Sequence, residues 1–219
     1  MVKVVRSFPA PLSLAIEATK VNGSYNEPDV VRQLKSDFND KCYICELKEL
    51  QDPEVEHLLP HMNGKYRDRK YDWNNLFWAC RHCNSVKKAE KYNSGIIDCC
   101  KQDPEKLVSF DFIQGNVRVE AIDSNDSQSV LTAELVYETF NKMNTGIREA
   151  ACDMRIKSLS EAMNILYKEL SRYKDNPSSK RNTRMLKAIL GRESAFAAFK
   201  RSYVRKRLEE YPGLAAFVN

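Results

Sequence analysis

Two C-x-x-C pairs constrain this chain more than any other feature. Cys42-Tyr43-Ile44-Cys45 and Cys80-Arg81-His82-Cys83 are separated by residues 46–79. A two-residue gap lets one tight turn aim both sulfurs at a single ion, so the two pairs can supply four thiolates to a tetrahedral zinc. In a reducing compartment such pairs read as metal ligands ahead of disulfides. Two redox dithiols are the other reading. Four cysteines leave no open position on a zinc, so a metal held there closes a fold and does no chemistry itself. The stretch Asn84–Tyr92 that follows the second pair reads as a helix, and its N-terminal dipole favours thiolate. Cys99, Cys100 and Cys152 read as small buried apolar residues.

The 219 residues suffice for one ordinary domain, or for a small domain with a helical addition. No apolar run approaches the ~20 residues needed to cross a bilayer. The opening stretch Met1–Lys20 is broken by Pro9 and Pro11 and is followed by no small-residue cleavage pattern, which argues against a secretory signal. The expectation is a cytoplasmic protein without a membrane partner. The net charge of +5 is uneven: Lys180–Arg207 holds ten Lys/Arg against one Glu. Such a block suggests a polyanionic partner, although a charge run is often a solvated face.

Three regions emerge. Residues 1–41 form an N-terminal extension that packs on or docks beside the core, with a helix from about Pro28 to Phe38. Asn26 suits its N-cap and Pro28 its first turn. Residues 42–124 hold the cysteine pairs and end in a hairpin, Leu107–Ile113 and Val117–Ile122 around Gln114-Gly115-Asn116. Residues 125–219 read as helical, with breaks at Ser124-Asn125-Asp126, Asn144-Thr145-Gly146, Asp175-Asn176-Pro177 and Gly191. On the longest helix Leu159, Met163, Leu166, Leu170 and Tyr173 recur at three- and four-residue steps, giving one core face.

The insert between the pairs carries the chemistry. Pro53–Pro60 reads as a short strand bearing Glu56-His57. A polar, basic loop follows from Asn63 to Lys70, and then Trp73-Asn74-Asn75-Leu76 leads into Cys80. Trp73, Phe77 and Trp78 read as core. Asn84 stands just past the last cysteine. A hairpin and a helix wrapped on one zinc can bring Glu56, His57, Asn75 and Asn84 together.

This constellation resembles the HNH endonuclease motif, in the version whose ββα-metal fold is pinned by a four-cysteine zinc. Glu-His, then Asn-Asn-Leu, then C-x-x-C-N-x-x-K carry the resemblance from Cys42 to Lys88. With the Asp103-Pro104 and Glu193-Ser194-Ala195-Phe196 segments, the whole layout resembles the HNH subunits of Septu anti-phage defence, the PtuB type, some of which travel with retrons. The fold this implies is α+β: an HNH ββα core with a structural zinc plus a mostly helical C-terminal region.

The resemblance implies a metal-dependent endonuclease acting on DNA or RNA, tRNA included. His57 has the right pKa class to deprotonate the attacking water. Glu56 and Asn84 offer hard oxygen ligands for a catalytic Mg²⁺ or Mn²⁺. Glu56 lies on the opposite strand face from His57, so it needs a bend to reach that ion. By the family pattern Asn75 tethers the loop and orients His57. His61 is near enough to touch metal or phosphate, and His82 reads as a surface residue. Arg67, Arg69, Lys70, Lys87 and Lys88 are candidate phosphate contacts. In the C-terminal block Phe196, Phe199 and Tyr203 are expected inward. Lys200, Arg201, Arg205, Lys206 and Arg207 are expected outward, the last three as nucleic-acid contacts. The implied partner is an ABC/SMC-like ATPase of the PtuA type, with a retron reverse transcriptase and its msDNA in some systems. The rival from another class is a non-catalytic zinc module that binds nucleic acid or protein.

Overall fold

The computed structural model describes residues 1–219 and is mixed α+β. Helix α1 spans Leu12–Ala18 and α2 spans Pro28–Asp37. Pro28 opens α2 as expected, because its missing N–H has no helical partner in the first turn anyway. The N-cap is Glu27 in place of the expected Asn26, whose side chain instead accepts from Ser24 Oγ at 2.6 Å.

Strand β1 (Pro53–His57) pairs antiparallel with β2 (Leu76–Cys80), in a register that sets Glu56 against Phe77 and His57 against Leu76. Between them the expected loop contains a short helix, α3 (Arg67–Tyr71), and a 3₁₀ turn over Trp73–Asn75. Asp72 caps that turn by accepting from Asn74 N. Helix α4 (Arg81–Val86) leaves the last residue of β2 directly, which corrects the helix expected over Asn84–Tyr92: it begins three residues earlier and stops before Lys87. The chain order is therefore strand, strand, helix.

The second hairpin forms as expected, β3 (Val108–Ile113) on β4 (Asn116–Ala121). Gln114 and Gly115 both have positive φ, 50° and 82°. Such a two-residue turn matches the twist of its strands, and Gly115 adopts it without strain.

The remainder is helical: α5 (Ser127–Asn141), α6 (Gly146–Asp175), α7 (Lys180–Ile189), α8 (Ala197–Arg205) and α9 (Ala215–Val218). Asp126, Thr145 and Ser179 cap α5, α6 and α7 with side-chain oxygens, each supplying an acceptor to an N–H the helix leaves open. Leu159, Met163, Leu166 and Leu170 form the buried face of α6. No helix is long and apolar enough to cross a membrane.

One core of 45 buried residues draws on all three regions. Met1 and Val2 lie in it, and Val4 N donates to Cys99 O. Buried Arg6 donates to Trp73 O and Leu76 O, both at 2.8 Å, while its guanidinium stacks on Trp73 and Phe77. Helix α5 packs on β4, and α8 packs on β3.

Candidate metal centre and adjoining polar cleft

The four paired cysteines meet. Cys42 and Cys45 sit on a tight turn ahead of β1, closed by Glu46 N donating to Cys42 O at 2.9 Å. Cys80 ends β2, and Cys83 lies on the first turn of α4. Their sulfurs all lie within 4.8 Å of one another, and every one of the four residues is buried. Bonds of about 2.3 Å to a tetrahedral ion place sulfurs roughly 3.8 Å apart, and Cys45 Sγ to Cys80 Sγ is 3.9 Å. The donor set is all sulfur with no carboxylate, which fits a zinc-class ion and not a hard cation. Burial pushes the Cys42 and Cys83 thiols up. Hydrogen bonds from the other three cysteines hold Cys80 far below its ordinary range, assisted by Arg155. Four buried sulfurs this close together could hold a metal ion such as zinc. Of the other cysteines, Cys99 and Cys152 are buried and Cys100 is half-buried, and none is in a disulfide.

On the cleft side of β1 a cavity of about 230 Å³ is lined by Tyr25, Glu56, His57, His61, Asn84 and Lys87. His57 is 7% exposed. Its Nε2 lies 3.1 Å from Lys70 O. A carbonyl only accepts, so Nε2 carries the proton and Nδ1 is the basic nitrogen. Burial lowers the His57 pKa to about 4, opposed by the bond to Lys70. The imidazole is therefore neutral at pH 7. Tyr25 and His61 each pack edge-on against it with ring centroids at 4.6 Å. His61 Nδ1 accepts from Gly64 N at 2.9 Å.

Asn75 takes the tethering place expected of it. Its Oδ1 accepts from Leu59 N at 2.8 Å, and Nδ2 donates to Leu59 O and Arg69 O, both at 2.9 Å. One side chain thus ties the exit of β1 to α3.

Two expectations for the carboxylates are corrected. Glu56 does not offer a free carboxylate. Its Oε2 accepts from Tyr43 OH and its Oε1 from Lys87 Nζ, both at 2.5 Å, at 4% exposure. Asn84 pairs with Glu54 in its place, Nδ2 donating to Glu54 Oε2 at 2.6 Å. The reason is strand parity: Glu54 and Glu56 share a face of β1, and the half-exposed end of that face meets Asn84. Lys87, expected on phosphate, is buried and also donates to His57 O at 2.7 Å and Leu58 O at 2.9 Å. It clamps α4 to the strand end that carries His57. Lys87→Met should leave a buried, unpaired carboxylate and cost ~3–5 kcal/mol. Adding Glu56→Gln should recover much of that loss, as read by denaturant melts of the two variants.

Most of the other candidate cations are engaged. Arg67 donates to Ala18 O and Lys20 O, Arg69 to Pro60 O and Asn93 Oδ1, and Lys70 to Gly23 O. Arg205 binds buried Glu105 at 2.8 Å, Lys206 binds Asp111 at 2.6 Å, and Arg207 stacks on Tyr203. Lys200 and Arg201 are buried, which corrects their expected outward placement, and Arg201 joins the Glu105 pair. Phe196 and Phe199 are buried as expected, and Tyr203 is half-buried. His82 is half-buried with Nε2 3.1 Å from Thr139 O, which corrects its surface placement. Lys88 is exposed and free, and so are Lys180, Arg181, Arg184 and Lys187 on α7.

Two cleft residues escape a reading of the sequence. Glu54 was visible as the residue two before Glu56 on one strand face. Tyr25 had no signal, since it reaches His57 through a loop around Gly23. A Cβ at Gly23 would meet Glu17 O at 1.9 Å, so that approach needs glycine.

Compared with known proteins, the chain matches no family model and has no significant match among curated proteins.

Proposed function

We propose that this chain is a metal-dependent endonuclease of the HNH type that hydrolyses phosphodiester bonds of DNA or RNA. The observation that carries this reading is His57: a buried, neutral imidazole with Nδ1 as its free base, in one cleft with Asn84, on the hairpin whose other end carries Cys80. His57 Nδ1 removes the proton from the attacking water. The Asn75 tether and the Lys87 clamp hold the strand end so that the ring keeps its place. Asn84 Oδ1 and the Glu54 carboxylate are the accessible hard oxygens for a Mg²⁺ or Mn²⁺ ion, and Glu56 joins them only where Lys87 yields. That ion would stabilise the leaving oxygen and the phosphoryl charge. The four cysteines hold zinc as a structural ion. By its layout, the chain acts as the nuclease effector of an anti-phage defence complex, beside an ABC/SMC-like ATPase.

The Glu56–Lys87 pair favours a second reading, a non-catalytic zinc module that binds nucleic acid or protein. The deciding experiment incubates the purified chain, with and without such an ATPase, with duplex DNA, single-stranded DNA and total RNA plus Mg²⁺ or Mn²⁺. Cleavage that disappears in His57→Ala supports the nuclease. Binding without cleavage in every arm supports the module.

The free cations of α7 give the polyanion a surface that Arg205–Arg207 do not. Changing Arg181, Arg184 and Lys187 together to Glu should reduce the slope of log affinity against log salt by roughly 2–3. Lys206→Met, which removes a cation already paired with Asp111, should leave that slope unchanged. Titrations at four salt concentrations check both.

A further inference from the structure

One basic side chain reaches the four cysteines from a distant part of the chain. Arg155, on the N-terminal half of α6, donates from Nη2 to Cys80 Sγ at 3.0 Å and from Nη1 to Ala151 O at 2.7 Å. It is 3% exposed, and its Nε has no hydrogen-bond partner. No carboxylate pairs with it, and the Cys80 sulfur is its one side-chain partner. A guanidinium buried this deeply needs a counter-charge. A divalent ion held by four thiolates has a net negative charge and supplies one. Four neutral thiols would supply none.

We propose that Arg155 is an outer-sphere partner of the metal centre: it donates to the Cys80 sulfur, offsets the negative charge of a divalent ion bound by the four cysteines, and locks α6 onto the end of β2 that carries Cys80. The proposal rests on the metal reading alone and is independent of whether the cleft cleaves anything. A second tie runs from the other cysteine pair. Glu46, the residue after Cys45, accepts from Ala198 N at 2.8 Å at the start of α8, and Phe196 N donates to Glu46 O. The two cysteine pairs therefore contact two helices of the C-terminal region, α6 and α8, which the spacing of the cysteines does not announce. Outer-sphere donors of this kind orient ligands and adjust their basicity, and losing one typically costs 10–100-fold in metal affinity.

The test uses the full-length chain loaded with zinc, and in parallel with cobalt. Arg155→Met should release zinc to a chromophoric chelator roughly 10–100-fold faster than wild type. Its thiolate-to-cobalt charge-transfer band should move to lower energy, because an N–H···S bond stabilises the sulfur lone pairs. Arg155→Lys keeps the charge but not the planar fork, and should fall between the two. Leu166→Ala, a core truncation further along α6, should lower thermal stability and move neither metal readout. The proposal is overturned if folded Arg155→Met matches wild type in both readouts, or if Leu166→Ala speeds release as much as Arg155→Met does. Should Arg155→Met fail to fold, the cobalt spectrum of Arg155→Lys decides, and a band unchanged from wild type overturns the proposal.

Discussion

His57→Ala is expected to abolish phosphodiester cleavage, with a loss of ~10²–10⁴ in rate, while the four cysteines keep their metal. The side chain contacts Lys70 O, Tyr25 and His61 and none of the metal-ligating sulfurs. Metal content should therefore stay at its wild-type value. The same substitution should change how stability responds to acid. The folded His57 titrates near 4, against 6.5 for the free side chain. Between those values the unfolded chain binds the proton and the folded chain does not. Stability should therefore fall as pH drops from 6.5 towards 4, by roughly 3 kcal/mol from this group. His57→Ala should remove that part of the slope. Cleavage assays, metal analysis and melts at pH 4.5 and 7 check the three statements. Loss of bound metal from His57→Ala would make the histidine a structural ligand and end its assignment as a base.

Removal of the cysteine-bound metal, by chelation or by Cys80→Ser, is expected to unfold the whole chain and not only residues 42–88. Structural zinc sites contribute ~10–16 kcal/mol in small modules, which equals or exceeds the ~5–15 kcal/mol that holds a typical domain. Here the loss has no boundary at which to stop. The turn that carries Cys42 and Cys45 also anchors α8 through Glu46, Cys80 anchors α6 through Arg155, and the buried core runs unbroken from Met1 to Val218. Far-ultraviolet circular dichroism and hydrogen exchange on the metal-free chain check this. Protected amides that persist throughout α6 would show that the helical region stands alone.

Much of the local structure was legible because it depends on neighbours in sequence. The C-x-x-C spacing, the Gln114-Gly115 turn, the caps Asp126 and Thr145 and the apolar stripe from Leu159 to Leu170 each follow from short-range geometry. The Asn75 tether came from the family pattern, and its side chain reaches Leu59 and Arg69. The charged residues were not legible in this way. Glu56 looks like a free metal ligand and Lys87 like a phosphate contact until both are found buried together at 2.5 Å.

The sequence by itself determined where a soft metal can bind, and it placed the second hairpin and the longest helix. Only the tertiary structure decided which ionisable groups are available. Burial is a property of the packed chain, and it converts an Arg, a Lys or a Glu from a solvated surface charge into a group that must be paired. Arg155 meets Cys80, Arg201 meets Glu105, and Tyr25 meets His57 across long stretches of sequence. Those pairings leave Lys88 and the cations of α7 exposed and unpaired, while Asn84 and Glu54 hold each other at the edge of the cleft.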